Sequence, residues 1–74
     1  MSEKVALVGV RKEHGRYIYF VDRDGDVARV RSAEEGTSGG VPEKVARTGV
    51  EKEPGYLYYL DEDGDVSRAW LGRR

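Results

Sequence analysis

Tyr56-Leu57-Tyr58-Tyr59-Leu60-Asp61-Glu62-Asp63-Gly64-Asp65-Val66 has the form of a strand running into a hairpin, and the chain contains it twice. The other copy lies thirty-nine residues earlier: Tyr17-Ile18-Tyr19-Phe20-Val21-Asp22-Arg23-Asp24-Gly25-Asp26-Val27. In each, five consecutive aromatic or branched apolar residues enter an acidic, Gly-centred turn and leave it on Val. Alternating side chains of this kind flanking an Asp-Gly step are a strong short-range signal for a β-hairpin.

The likeness extends outward. Residues 4–15 align with 44–55 and residues 17–29 with 56–68, and sixteen of the twenty-five aligned positions are identical. Arg16 is skipped in this alignment, and a β-bulge there is expected to absorb the extra residue. Lys4-Val5-Ala6-Leu7-Val8-Gly9-Val10 has high β content and leads into the polar turn Arg11-Lys12-Glu13-His14-Gly15. In the second copy the turn contains Pro54-Gly55, a pair suited to the two central positions of a type II turn. Each unit therefore predicts strand, turn, strand, turn, strand, a meander of about 27 residues too small to bury two faces by itself.

The predicted architecture is all-β: two tandem three-stranded antiparallel meanders with pseudo-two-fold symmetry, closed into a six-stranded barrel or a two-layer sheet. Repeat one spans 4–31, a Gly- and Ser-rich flexible linker spans 32–42, and repeat two spans 43–71, all within a single domain. The tail after residue 70 is expected to fray. Along the aromatic strand, Ile18 and Phe20 (Leu57 and Tyr59) point one way, and Tyr17, Tyr19 and Val21 (Tyr56, Tyr58 and Leu60) the other. Both faces are at least half apolar, which places this strand at the centre of its meander.

Composition narrows the functional classes. A chain of 74 residues buries only about 60% of its unfolded surface. It has no Cys for disulfides or a thiolate zinc site, and His14 is its only histidine. His14 stands in a turn, and Pro54 replaces it in the second copy. With no nucleophile-His pairing, and little concave volume expected even for a pocket of about 300 Å³, the residues point away from an enzyme, and they imply no cofactor. The net charge of −1 disfavours a dedicated nucleic-acid binder, although residues 1–31 carry +2 against −2 for 32–42 and −1 for 43–74. No apolar run approaches the roughly 18 residues of a membrane span, and a soluble cytoplasmic protein is the default expectation.

Two constellations remain. The acidic turns place Asp22, Asp24 and Asp26, and again Asp61, Asp63 and Asp65, at alternate positions, like the first three ligands of a calcium loop. Such a loop needs Gly at its sixth place and Glu at its twelfth. Here Gly25 and Gly64 stand fourth, and the twelfth places are Ala33 and Gly72. A hairpin turn capped by its own Asp side chains is the favoured reading, with a calcium-responsive structural protein as the alternative. The second constellation is a candidate binding face: Tyr17 and Tyr19 with Arg29 and Arg31, and Tyr56 and Tyr58 with Arg68 and Trp70. Aromatic faces beside Arg make platforms for single-stranded nucleic acid or quaternary ammonium groups; half-buried packing with the phenol at the rim is the structural counterpart.

From Thr48-Gly49-Val50 through Val66 the chain resembles uncharacterised short prokaryotic proteins made of two such repeats, a resemblance that covers most of the chain and implies no activity. The same stretch is superficially similar to the choline-binding repeats of bacterial surface proteins. Those repeats recur about every twenty residues and cage their ligand with Trp, where Val10 and Val50 stand here; choline binding is not carried over. The expected function is a non-enzymatic binding or scaffold module that meets a protein partner or an identical subunit through its Tyr and Arg face.

Overall fold

The computed structural model describes residues 2–13, 15–32 and 40–72. His14, most of the expected linker and the last two residues lie outside the described residues. Six strands form: β1 (Ser2–Ala6), β2 (Tyr17–Val21), β3 (Val27–Arg31), β4 (Glu43–Ala46), β5 (Tyr56–Leu60) and β6 (Val66–Trp70). They make two antiparallel three-stranded sheets, β1-β6-β5 and β2-β3-β4, and do not close into a barrel. Among the described residues no helix is long and apolar enough to cross a membrane.

The hairpins follow from local chemistry. The aromatic and branched residues of β2 pair with β3 from Tyr17↔Arg31 to Val21↔Val27, and β5 pairs with β6 from Tyr56↔Trp70 to Leu60↔Val66. Each turn closes on its own carboxylate. Asp22 Oδ1 accepts the N–H groups of Asp24 and Asp26 at 2.9 and 3.0 Å, and Asp61 Oδ1 does the same for Asp63 and Asp65. Gly25 and Gly64 each adopt φ +82°, which an L side chain rarely tolerates.

The remaining pairings depart from the repeat-by-repeat expectation. β1 pairs with β6 and β4 with β3, so the first strand of each copy completes the hairpin of the other. The aromatic strands β2 and β5 are therefore edges, and β3 and β6 are the centres. The described residues 7–13 and 15–16, and residues 47–55, run from one sheet to the other instead of turning back beside their own strand, and Val8 and Val10 belong to this crossing and not to β1. No bulge forms at Arg16. The extra residue is taken up in a turn where Glu13 O accepts the N–H groups of Arg16 and Tyr17. The ladder irregularities fall at Val5, between Lys4 and Ala6, and at the matching step of the β3·β4 pair.

The core sits where the turn ends of the hairpins meet. Val21, Val27, Leu60 and Val66 are buried together, and Ala6, Val8, Val10, Tyr19, Ala46, Val50 and Tyr58 pack around them. Burying each of the four central side chains stabilises by about 1.5–3 kcal/mol. Both copies supply every layer of this core, because each crossing segment brings the valines of one copy onto the hairpin of the other.

Candidate functional site

The identical residues of the two copies converge at the acidic turns. Lys4 Nζ lies 3.0, 2.9 and 3.0 Å from carboxylate oxygens of Asp61, Asp63 and Asp65. Lys44 Nζ lies 3.1, 2.8 and 2.8 Å from those of Asp22, Asp24 and Asp26. The strand carrying each lysine then continues along the same turn. Val8 and Gly9 donate their N–H groups to Asp65 Oδ1 at 2.7 and 2.9 Å, and Val10 N–H reaches Gly64 O at 2.9 Å. In the other turn Gly49 N–H donates to Asp26 Oδ1 at 2.8 Å, while Thr48 Oγ1 and Val50 N–H donate to Gly25 O at 2.6 and 2.9 Å.

Glycine is required at the centre of each turn for a second reason besides φ. A Cβ on Gly25 would collide with the backbone of Val50, and one on Gly64 with that of Val10. Outside the turn, Arg68 binds Glu3 at 2.6 Å and Arg29 binds Glu43 at 2.6 Å, again joining one copy to the other.

Three carboxylate oxygens within 4.8 Å of one another have the spacing of a cation site. The cation is the lysine ammonium, anchored by its own strand. Calcium would have to expel Lys4 or Lys44 and leave that charge unpaired, with no Glu at the twelfth place to complete its shell. Adding about 5 mM calcium chloride is accordingly expected to leave the melting temperature unchanged, since a ligand of the native state must raise it; differential scanning calorimetry checks this.

The electrostatics give the fold a pH window. The ammonium groups of Lys44 and Lys4, with the backbone N–H groups of the docked strand, hold Asp26 and Asp65 below the ordinary carboxylate value of 3.8. At Asp22 and Asp61 partial burial works the other way. It is outweighed at Asp22 by the Asp26 N–H and Lys44, and at Asp61 by the Ser67 hydroxyl, the Asp65 N–H and Lys4. Hydrogen bonds to the carboxylates of Asp63, Asp61 and Asp65 raise Lys4 above its ordinary 10.5, and those of Asp24, Asp26 and Asp22 raise Lys44. Depressed carboxylates contribute stability above their unfolded value and lose it as the pH falls. Raised ammonium groups contribute below theirs and lose it as the pH rises. Thermal unfolding followed by circular dichroism is expected to show a plateau from about pH 5 to about pH 9.5 and a decline on both sides.

The candidate Tyr and Arg face is half-buried and is contacted from within. Arg29 lies over the Tyr17 ring and Arg68 over the Tyr56 ring, each 3.8 Å from the centroid. The Tyr19 hydroxyl accepts the Glu13 N–H at 3.0 Å, and the Tyr58 hydroxyl the Glu53 N–H at 2.8 Å. Tyr17 meets Tyr19 at 6.2 Å, and Tyr56 meets Tyr58 at 6.3 Å and Trp70 at 5.1 Å. Among the described residues the aromatic ring pairs each lie within one copy. All four tyrosines are half-buried, while Arg31 and Trp70 are exposed at the open ends of the hairpins. Ring faces capped by guanidinium groups are not free to stack on a base or a quaternary ammonium.

Leu7 and Val41 are exposed outside the strands, and exposed apolar side chains also lie on the opposite sheet faces. Ile18 is 56% exposed and Leu57 54%. On β2-β3-β4, Ile18 stands opposite Val30, and Phe20 opposite Ala28, an apolar strip across two strands. The equivalent strip on β5-β6 is Leu57 opposite Ala69 and Tyr59 opposite Ser67. Beside Phe20 an open groove of about 550 Å³ is lined by Phe20, Val21 and Ala28, with Pro42 and Lys44 from the β4 side. A second depression of about 660 Å³ lies against Lys4 and the Asp61 turn, and a third of about 390 Å³ beside Tyr58 and Arg68. These three depressions are open to solvent.

Sequence reasoning missed Lys4, Lys44, Gly9 and Gly49 as partners of the acidic turns. Their signal was present: they are identical in both copies yet sit outside the aromatic hairpin. No protein family, curated protein or solved structure matches the chain.

Proposed function

We propose that the chain is a non-enzymatic binding module, two copies related by an approximate two-fold axis, which receives an apolar peptide segment of a protein partner on the outer face of β2-β3-β4. The observation that carries this reading is the 56% exposed Ile18 with the half-buried Phe20 and Val30 around a buried Ala28, beside the 550 Å³ groove. Apolar area left open to solvent at a groove is retained where something covers it. The first copy has Phe20 and Ala28 where the second has Tyr59 and Ser67, so the binding face belongs to one sheet. The charged residues Asp22, Arg23, Glu43 and Lys44 border the same groove and form a polar rim around an apolar centre, the usual arrangement of a protein-binding patch. The Tyr and Arg residues support it from behind as structural parts of the hairpins.

Panning a displayed peptide library against the full chain tests this. Peptides rich in aromatic and branched residues are expected to enrich, and to lose at least about tenfold in affinity on Ile18→Lys, a loss of about 1.4 kcal/mol. Ile18 points outward, so the variant is expected to melt with the wild type. An absence of enrichment, or equal binding to both proteins, would remove the reading.

A further inference from the structure

We infer that the N-terminal segment of residues 2–10 is an exchangeable strand, and that a second copy of this chain is a partner it fits: β1 of one molecule completes the β5-β6 hairpin of another. The inference goes beyond the peptide-binding face and does not depend on it. Among the described residues, the ladder, hydrogen bonds and ion pairs that hold residues 2–10 in place are made to the far end of the sequence. These are the β1·β6 ladder, Lys4 on Asp61, Asp63 and Asp65, Val8 and Gly9 on Asp65, Val10 on Gly64, and Glu3 on Arg68. None of them depends on both ends belonging to one molecule. An identical segment arriving from a neighbour makes the same set, and two molecules that trade β1 form a closed dimer with no new interface.

The chain itself demonstrates that the recognition is transferable. Lys44, Gly49, Val50 and Glu43 dock on the β2-β3 hairpin through the same kinds of bond that Lys4, Gly9, Val10 and Glu3 make on β5-β6. The accepting groups Asp, Asp, Gly, Asp, Val and Arg are identical in the two hairpins. Both hairpins are therefore receptors for a Lys-Val-Ala-x-x-Gly-Val strand, and the chain carries two such strands. The hinge that has to open is the crossing between Val10 and Tyr17. Of its described residues Arg11, Glu13, Gly15 and Arg16 are exposed and Lys12 is half-buried; the bonds to release are the Glu13 N–H to Tyr19, the Glu13–Arg29 ion pair and the Ser32 contacts to Gly15 O and Arg16 O. Since the closed monomer and the exchanged dimer contain the same bonds, protein concentration during folding decides between them.

The test uses the full chain, which has no cysteine of its own. Protein unfolded in guanidinium and refolded at about 1 mM is expected to yield a dimer that survives dilution, whereas refolding at about 1 µM yields monomer; sedimentation velocity reads the two. Ser2 and Ala69 are Cα partners in the β1·β6 ladder. Refolding Ser2→Cys and Ala69→Cys chains together at the higher concentration is therefore expected to give a mixed disulfide between them. The double variant refolded dilute is expected to close within one chain. Wild-type protein that stays monomeric after refolding at either concentration would overturn the inference. So would a dimer in which the mixed disulfide is no more abundant than either homodisulfide, because that dimer is joined by some other surface.

Discussion

Gly64→Ala is expected to destabilise the protein by about 2–5 kcal/mol, combining the cost of left-handed backbone for an L residue with overpacking. A chain of this length has a net stability of about 4–11 kcal/mol, so the variant approaches unfolding. The loss arises because the turn glycine lies directly beneath Val10, whose N–H bonds to the Gly64 carbonyl at 2.9 Å. Gly25→Ala meets Val50 in the same way and should cost as much. Gly49→Ala is the internal control: it also has positive φ, +58°, but nothing lies within 4 Å of its new Cβ. Only the backbone cost of about 1–2 kcal/mol applies there. Urea denaturation of the three variants separates backbone strain from lost docking, and equal losses at Gly49 and Gly64 would mean that the close approach contributes nothing.

The second large effect concerns the core. Val27 and Val66 are completely buried, with 0% of their surface exposed. Val66→Ala removes two methyl groups and leaves a space that the flanking backbone cannot fill, an expected loss of about 2–3 kcal/mol. Because Val66 packs in one cluster with Val21 and Val27 of the first copy, the loss should appear as a single cooperative transition at a lower midpoint. Two separate transitions, with one unchanged from the wild type, would show that the copies fold independently.

Much of the fold was legible because it is local. Five β-forming residues, an Asp-Gly turn and a returning Val dictate each hairpin within eleven residues, and the carboxylate that caps the turn is part of the same stretch. The partner of the first strand was not legible, and the reason is the duplication itself. Lys4-Val5-Ala6 has identical chemistry to Lys44-Val45-Ala46, so pairing within a copy and pairing between copies satisfy the same pattern. Geometry decides. The crossing segments seat Val8, Val10 and Val50 on the core of the opposite hairpin, and each lysine reaches the opposite acid triad.

The aromatic strand was expected at the centre because both of its faces are apolar. It sits at an edge because the guanidinium groups of Arg29 and Arg68 cover the tyrosine faces on one side, while Ile18 and Leu57 stay exposed on the other. The candidate site shows the same division. The acid triads were recognised from spacing alone, but the cation each holds is a lysine about sixty residues away in one turn and about twenty in the other, and local spacing carries no information about such a partner.

Backbone nuclear Overhauser contacts across the first strand test the pairing of each first strand with the other copy's hairpin most directly. That pairing predicts contacts from Ser2, Glu3 and Lys4 to Ala69, Arg68 and Ser67, with a matching set joining Lys44 to Ala28. A ladder of contacts from residues 4–10 to the aromatic strand of the same copy, with none to β6, would contradict it.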